Sequence, residues 1–221
     1  MNEKFLNRYI VKYSPDKPVK SVGIGLINLA GMELLLASSK KQSSLIAGNI
    51  EHGESILSAV LREWREEVNV IDLKDIGQFN PFTLTNRWLH LPPLLMHKAG
   101  KQTTGAVFPV FIYSTPTERT SVKRAITVGE DDEVSFLYWK GLSNDIDPRQ
   151  INWRNPEYNA AAFAWLQNLT YSFNRLAWYK QIALLSFNSS AKRIEELVSP
   201  WVRRLFRREF IQLAEPHYLE V

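Results

Sequence analysis

The chain has 221 residues, 27 Lys and Arg against 23 Asp and Glu, and no cysteine. The absence of cysteine excludes a disulfide framework and any thiolate metal site and suits a reducing compartment; no apolar run reaches the ~18 residues of a membrane helix. The net charge of +4 is spread evenly, with 17 basic and 15 acidic side chains in residues 1–144 and 10 and 8 in residues 145–221, so no basic domain or tail points to nucleic acid. The opening MNEKFLNRYIVKYSPDK carries charge throughout and lacks the apolar centre of a signal peptide. The expectation is a soluble, cytoplasmic protein with no membrane partner.

In chain order, Val19–Asn28 is β-branched and apolar and predicts a strand, with Gly31 turning it into a hairpin partner at Glu33–Ser38. Lys40–Ser44 reads as a polar loop, and Ser43–Ile50 leads into a glycine-containing turn. Glu54–Val68 has helical period, with Leu57, Val60, Leu61, Trp64 and Val68 on one side of a 3.6-residue wheel. Strands are expected at Val70–Leu73, Phe79–Leu84, Ala106–Tyr113 and Val134–Trp139. Strands, one helix, then more strands favour a mixed sheet with helices on its faces over a bundle or an all-β barrel.

After about Asp145 the texture changes. Asn155-Pro156 reads as an N-cap with Pro at N1, and no Gly or Pro interrupts the run from there to about Phe187. Lys192–Val198 predicts a second helix, and Ser199-Pro200 caps a third. The division expected is residues 1–144 as one domain and 145–221 as a helical extension. Its aromatic content requires burial against that domain or against a second subunit, as in a homodimer.

The chemistry concentrates in Gly48–Val70, GNIEHGESILSAVLREWREEVNV. Spacings of three and four stack Glu63, Glu66 and Glu67 along one side of the helix. Three like charges in one turn repel, and a hard divalent cation, Mg²⁺ or Mn²⁺, is the natural compensation for carboxylates without thiols. A solvated acidic helix face is the plainer alternative. Gly48 and Gly53 weigh against it, because they flank a tight loop leading straight into the helix and let backbone groups approach a cation or phosphate closely. Arg62 lies four residues before Glu66 and two helical turns after Glu54, where it can bridge acids and fix their rotamers.

Gly48, five residues, Glu54, seven residues, Arg62-Glu63, then Trp64, Arg65 and Glu66-Glu67 resembles the signature of the Nudix hydrolases. Two positions depart from it. Asn69 stands where the family has a glycine, and as the next best left-handed residue it is expected to cap the helix. Trp64 fills a slot usually aliphatic. The resemblance implies an α/β/α sandwich and attack of water on the diphosphate of a nucleoside diphosphate linked to another group. It further implies Glu63, Glu66, Glu67 and the Gly48 carbonyl as ligands of Mg²⁺ (or Mn²⁺), with Arg62 orienting the acids and Glu54 as its partner. The base of such an enzyme lies in the helix (Glu66, Glu67) or on a loop before a late strand. Glu130, in the acidic run before Val134, is the candidate there, against the reading of an ordinary acidic turn.

For the substrate, Phe82 and Trp88 are candidates for stacking and Arg87, His90 and Lys98 for phosphate, with Arg87 and Trp88 preferred, against the plainer reading of each as structural or merely exposed. The four histidines show no ligand spacing. Arg203, Arg204, Arg207 and Arg208 form a basic stripe that suits a solvated helix face, and contact with nucleic acid is the lesser reading. The alternative function is a nucleotide-sensing transcriptional regulator with a C-terminal DNA-binding module, but no strand-turn-strand wing is visible in the tail.

Overall fold

A computed structural model of the chain describes residues 19–70, 88–90, 94–97, 104–112, 119–130 and 133–175. Strand β1 (Val19–Asn28), ten residues with an apolar stretch from Val22 to Ile27, becomes the spine of the fold. It pairs in parallel with β8 (Thr104–Ile112), and antiparallel with β2 (Glu33–Ser39) and β4 (Ile46–Asn49). Outward from this centre, β10 (Phe136–Gly141) pairs with β2, and β6 (Trp88–His90) and β7 (Leu94–His97) pair with β8, all antiparallel. With β3 (Gln42–Ser44) on β2, the described residues form one mixed sheet of eight strands. Both β1 and β8 are buried almost throughout, as strands covered on two faces must be.

Two helices supply the covers. Helix α1 (Ile56–Glu67) starts at Ser55, whose side chain accepts the Ser58 N–H at 3.1 Å. It buries Ala59, Val60 and Trp64. Helix α3 (Pro156–Asn174) begins where Asn155-Pro156 predicts and buries Ala160 to Leu166, Leu169 and Phe173; Phe173 meets Phe111 of β8 at 5.0 Å between ring centroids. A β-carbon on Gly25 would run into Leu166 of α3, whereas one on Gly48, paired with Val22, would run into Glu63 of α1. Residues 22 and 25 of a strand point to opposite faces, so the two helices cover opposite sides of the sheet. α3 shares one continuous apolar core with the strands. Each fully buried aliphatic side chain there contributes about 1.5–3 kcal/mol of hydrophobic stabilisation.

Three points differ from the expectations. The Lys40–Ser44 loop is a β-hairpin: Lys40 (φ 48°) and Lys41 (φ 67°) form a tight turn, and β3 returns along β2. Asn69 is not a left-handed cap, because α1 passes directly into β5 (Val68–Val70), paired with β9 (Ile126–Val128). The extended Val68 closes the helix through its own N–H to the Trp64 carbonyl, so no reversal of the chain is needed. Helix α3 is described from Pro156 to Asn174, with the Arg175 N–H bonded to the Tyr171 carbonyl at 3.1 Å, and the rest of the run to Phe187 lies outside the described residues. A further helix, α2 (Arg119–Ala125), was not anticipated; Arg119 and Lys123 clamp it to buried Glu33 of β2 at 2.8 and 2.9 Å. The expected strand at Phe79–Leu84, the helices beyond residue 175 and the arginine stripe lie outside the described residues. Among the described residues no helix is long and apolar enough to cross a membrane.

Candidate active site

The loop from β4 into α1 sets the site. Gly53 sits at φ +81°, a conformation that side chains disfavour, and it lets the chain bend sharply before Ser55 starts the helix. Gly48 has a different task. The Glu63 carboxylate lies where a β-carbon on Gly48 would be, so the bare backbone of β4 admits a carboxylate against it.

Glu63 and Glu67, four residues apart, are 7% and 8% exposed, while the Glu66 side chain is 44% exposed. Two buried acids and one open acid therefore share one turn of α1. Arg62 sits among them. Its Nη1 donates to Glu63 at 2.7 Å and to Glu66 at 2.9 Å, its Nε donates to Glu54 at 3.0 Å, and its Nη2 donates to the other Glu54 oxygen at 3.1 Å and to the Asn49 carbonyl at 2.8 Å. The Glu54 bond above all raises the guanidinium pKa above its ordinary range, so Arg62 is a permanent cation. In return Arg62, with the Glu51 N–H, holds the Glu54 carboxyl below its usual range. Glu63 moves the other way: burial pushes its pKa up, and the pull of Arg62 does not fully offset this.

These residues open on a cleft of about 420 Å³. The α1 wall brings Arg62, Glu63, Glu66 and Glu67, and β4 brings Gly48 and Asn49. The opposite wall was not read from the sequence. Arg154 and Asn155 precede α3, and Tyr158 and Asn159 belong to its first turn; all four line the cleft. Asn155 makes no side-chain capping bond, contrary to expectation. The wall is held by backbone bonds to β3, from the Ser43 N–H to the Asn152 carbonyl at 2.7 Å and from the Arg154 N–H to the Ser43 carbonyl at 2.9 Å. Trp153, buried between them, donates its indole N–H to the Pro148 carbonyl. The Asn-Pro dipeptide was the available signal, since a helix start brings its first turn to a strand end.

The acidic run before β10 contributes Glu133 to the cleft, where it accepts from Arg154 at 3.3 Å. Glu130 is exposed and does not line it. Arg87, Phe82 and Lys98 lie outside the described residues. Trp88 opens β6 opposite Ile112, and His90 ends it opposite Val110; their side chains are likewise not described.

Among the described residues no three acids or histidines are already gathered as a closed metal-binding set, and Arg62 lies between the carboxylates. The donors nevertheless fit a hard cation. Two nine-tenths-buried carboxylates and an exposed third line the same cleft as Gly48, with oxygen as the only donor type. A cation placed there would favour the ionised Glu63 that burial disfavours.

The sequence model of the NUDIX domain matches residues 17–168. No curated protein matches the chain. Among solved structures, the chain is 16% identical to a bifunctional NMN adenylyltransferase/ADP ribose pyrophosphatase from Francisella tularensis, with a TM-score of 0.42 over 71% of this chain and 43% of that one. It thus spans less than half of that enzyme. It is 18% identical to a C. elegans Ap4A hydrolase (TM-score 0.42, covering 70% of this chain and 96% of that one). The corresponding figures for the Bacillus subtilis pyrophosphohydrolase BsRppH are 13%, 0.44, 74% and 89%. With a family match over more than two-thirds of its length, embracing the glycine loop, the acidic helix and the start of α3, the chain belongs to the Nudix family of phosphoanhydride hydrolases.

Proposed function

We propose that the chain is a pyrophosphohydrolase that attacks the diphosphate of a nucleoside diphosphate linked to another moiety, using Mg²⁺ or Mn²⁺. The observation that carries this reading is the burial of Glu63 and Glu67 in the cleft beside the bare backbone of Gly48. Glu63, Glu66, Glu67 and the Gly48 carbonyl would hold the cation. When bound, it supplies neutralising charge to the bridging oxygens and lowers the pKa of the attacking water. Arg62, anchored by both Glu54 oxygens, fixes the rotamers of Glu63 and Glu66.

In the reaction a water oxygen bonds to phosphorus, the bridging P–O bond breaks, and the water proton passes to a carboxylate. Of the acidic run before β10 we assign that role to Glu133, which lines the cleft, in place of Glu130. A cytoplasmic setting accords with the cysteine-free sequence. A homodimer through the C-terminal helices rests on their aromatic content alone.

The test is a screen of nucleoside diphosphate derivatives with Mg²⁺ and with Mn²⁺. One or more should be cleaved at the diphosphate. Glu67→Gln should lower turnover by more than the roughly 10–100-fold that loss of a ligand's supporting partner costs, with the circular dichroism spectrum unchanged. Unaltered turnover in that variant would remove the metal role.

A further inference from the structure

Two guanidinium groups line the cleft among the described residues, against the acids Glu51, Glu63, Glu66, Glu67 and Glu133. Arg62 is tied to three of the family signature's acids. Arg154 faces them from the wall before α3. We propose that Arg154, together with the first turn of α3, binds a phosphoryl oxygen of the substrate on the side of the cleft away from α1. The inference rests on the diphosphate reading above and deepens it.

Three observations carry it. Arg154 is held in place from behind, by the Ser43 and Trp153 bonds of the backbone on which it sits. Its side chain meets Glu133 through one N–H at 3.3 Å, with the two side chains 52% and 68% exposed. Such a pair is screened and weak, whereas a guanidinium binds phosphate oxygens strongly and with two donors. The pair is therefore readily exchanged for a substrate phosphate.

The third observation is independent of charge. Residues Tyr158 and Ser21 line this cleft and are 5% and 3% exposed, and among the described residues neither buried hydroxyl has a hydrogen-bond partner. They converge on Gly105, at 2.6 and 2.8 Å from where its β-carbon would stand, so a side chain at that position would push them aside. A buried hydroxyl without a partner is kept against its desolvation penalty and calls for a ligand atom. Tyr158 belongs to the first turn of a 19-residue helix whose N-cap side chain makes no capping bond, and that end of a helix favours an anion. An acid wall that takes the cation and an opposite wall that takes the anion would together orient a diphosphate across the cleft.

The probe is methylenediphosphonate, whose P–C–P bridge water cannot cleave, titrated calorimetrically into the protein in Mg²⁺. Arg154→Gln should weaken binding about tenfold, and Arg154→Lys less. Glu133→Gln, which removes the competing carboxylate, should tighten it. Tyr158→Phe should weaken binding threefold or more while leaving the thermal midpoint unchanged or higher. A change below threefold in Arg154→Gln, or unchanged or weaker binding in Glu133→Gln, overturns the inference while leaving the diphosphate reading in place. A lowered midpoint with unaltered binding in Tyr158→Phe makes that hydroxyl structural and also overturns it. If the unsubstituted protein binds no methylenediphosphonate in Mg²⁺, the diphosphate reading fails with it.

Discussion

Gly48 and Arg62 answer the same physical difficulty, three carboxylates in one helical turn, by different means. Arg62 supplies a permanent countercharge, bonded to Glu54, Glu63 and Glu66. Gly48 supplies room, since the Glu63 carboxylate occupies the place of its missing side chain. Gly48→Ala should therefore cost about 1–3 kcal/mol, the usual range for overpacking, and should depress diphosphate turnover as Glu63 is displaced. Denaturant unfolding and initial rates check the two effects separately, and a variant unchanged in both would mean that the contact is slack. At this scale the sequence was legible where the family spacing fixes residues to one helix. It was silent about Arg154, Tyr158 and Asn159, because their place in the cleft depends on contacts with residues more than a hundred positions earlier, such as the bond from the Leu45 N–H to Asn159 at 3.4 Å.

Among the elements, β1 and α1 were readable because apolar period and length agree. The β2–β3 hairpin was not. A two-residue hairpin turn with positive φ at both central positions is announced by Asn-Gly or Asp-Gly, and here two lysines occupy it at φ 48° and 67°. An ordinary L-residue in that conformation costs roughly 1–2 kcal/mol, so the surrounding pairing must hold the turn in place. The double substitution Lys40→Asn, Lys41→Gly should relieve the strain and stabilise the fold by about 1 kcal/mol, read as a raised denaturation midpoint. A lower midpoint would mean that the lysines contribute contacts beyond the turn. The same hairpin anchors the wall that carries Arg154, so an element missed in the sequence led to a site residue missed as well. Helix α2 escaped for another reason: seven residues are too few for a periodic signal, and its clamp to Glu33 joins positions 86 and 90 apart.

For the whole molecule, α3 is part of the core and closes the sheet face opposite α1. Ending the chain after residue 144 would uncover the sheet face of Gly25 and Phe111, which Leu166 and Phe173 of α3 cover. We expect the truncated protein to aggregate or to lose its cooperative unfolding transition. A soluble fragment with an unchanged midpoint would establish residues 145–221 as an independent unit. The fold class was legible from the order of strands and helices, but the intimacy of α3 with the sheet was not, since an apolar helix does not say in its sequence which face it will cover.

The seam where α1 becomes β5 has a consequence for how this chain can vary. Glu67 and Val68 are consecutive, one helical and the next already hydrogen-bonded in a strand pair, and the Gly129 N–H returns to the Glu67 carbonyl at 2.9 Å. No spare residue lies between them. Inserting or deleting a single amino acid here would either swing the glutamates about 100° around the helix axis or drag β5 out of register with β9, so the length of this joint is as tightly specified as the identity of the acids it presents.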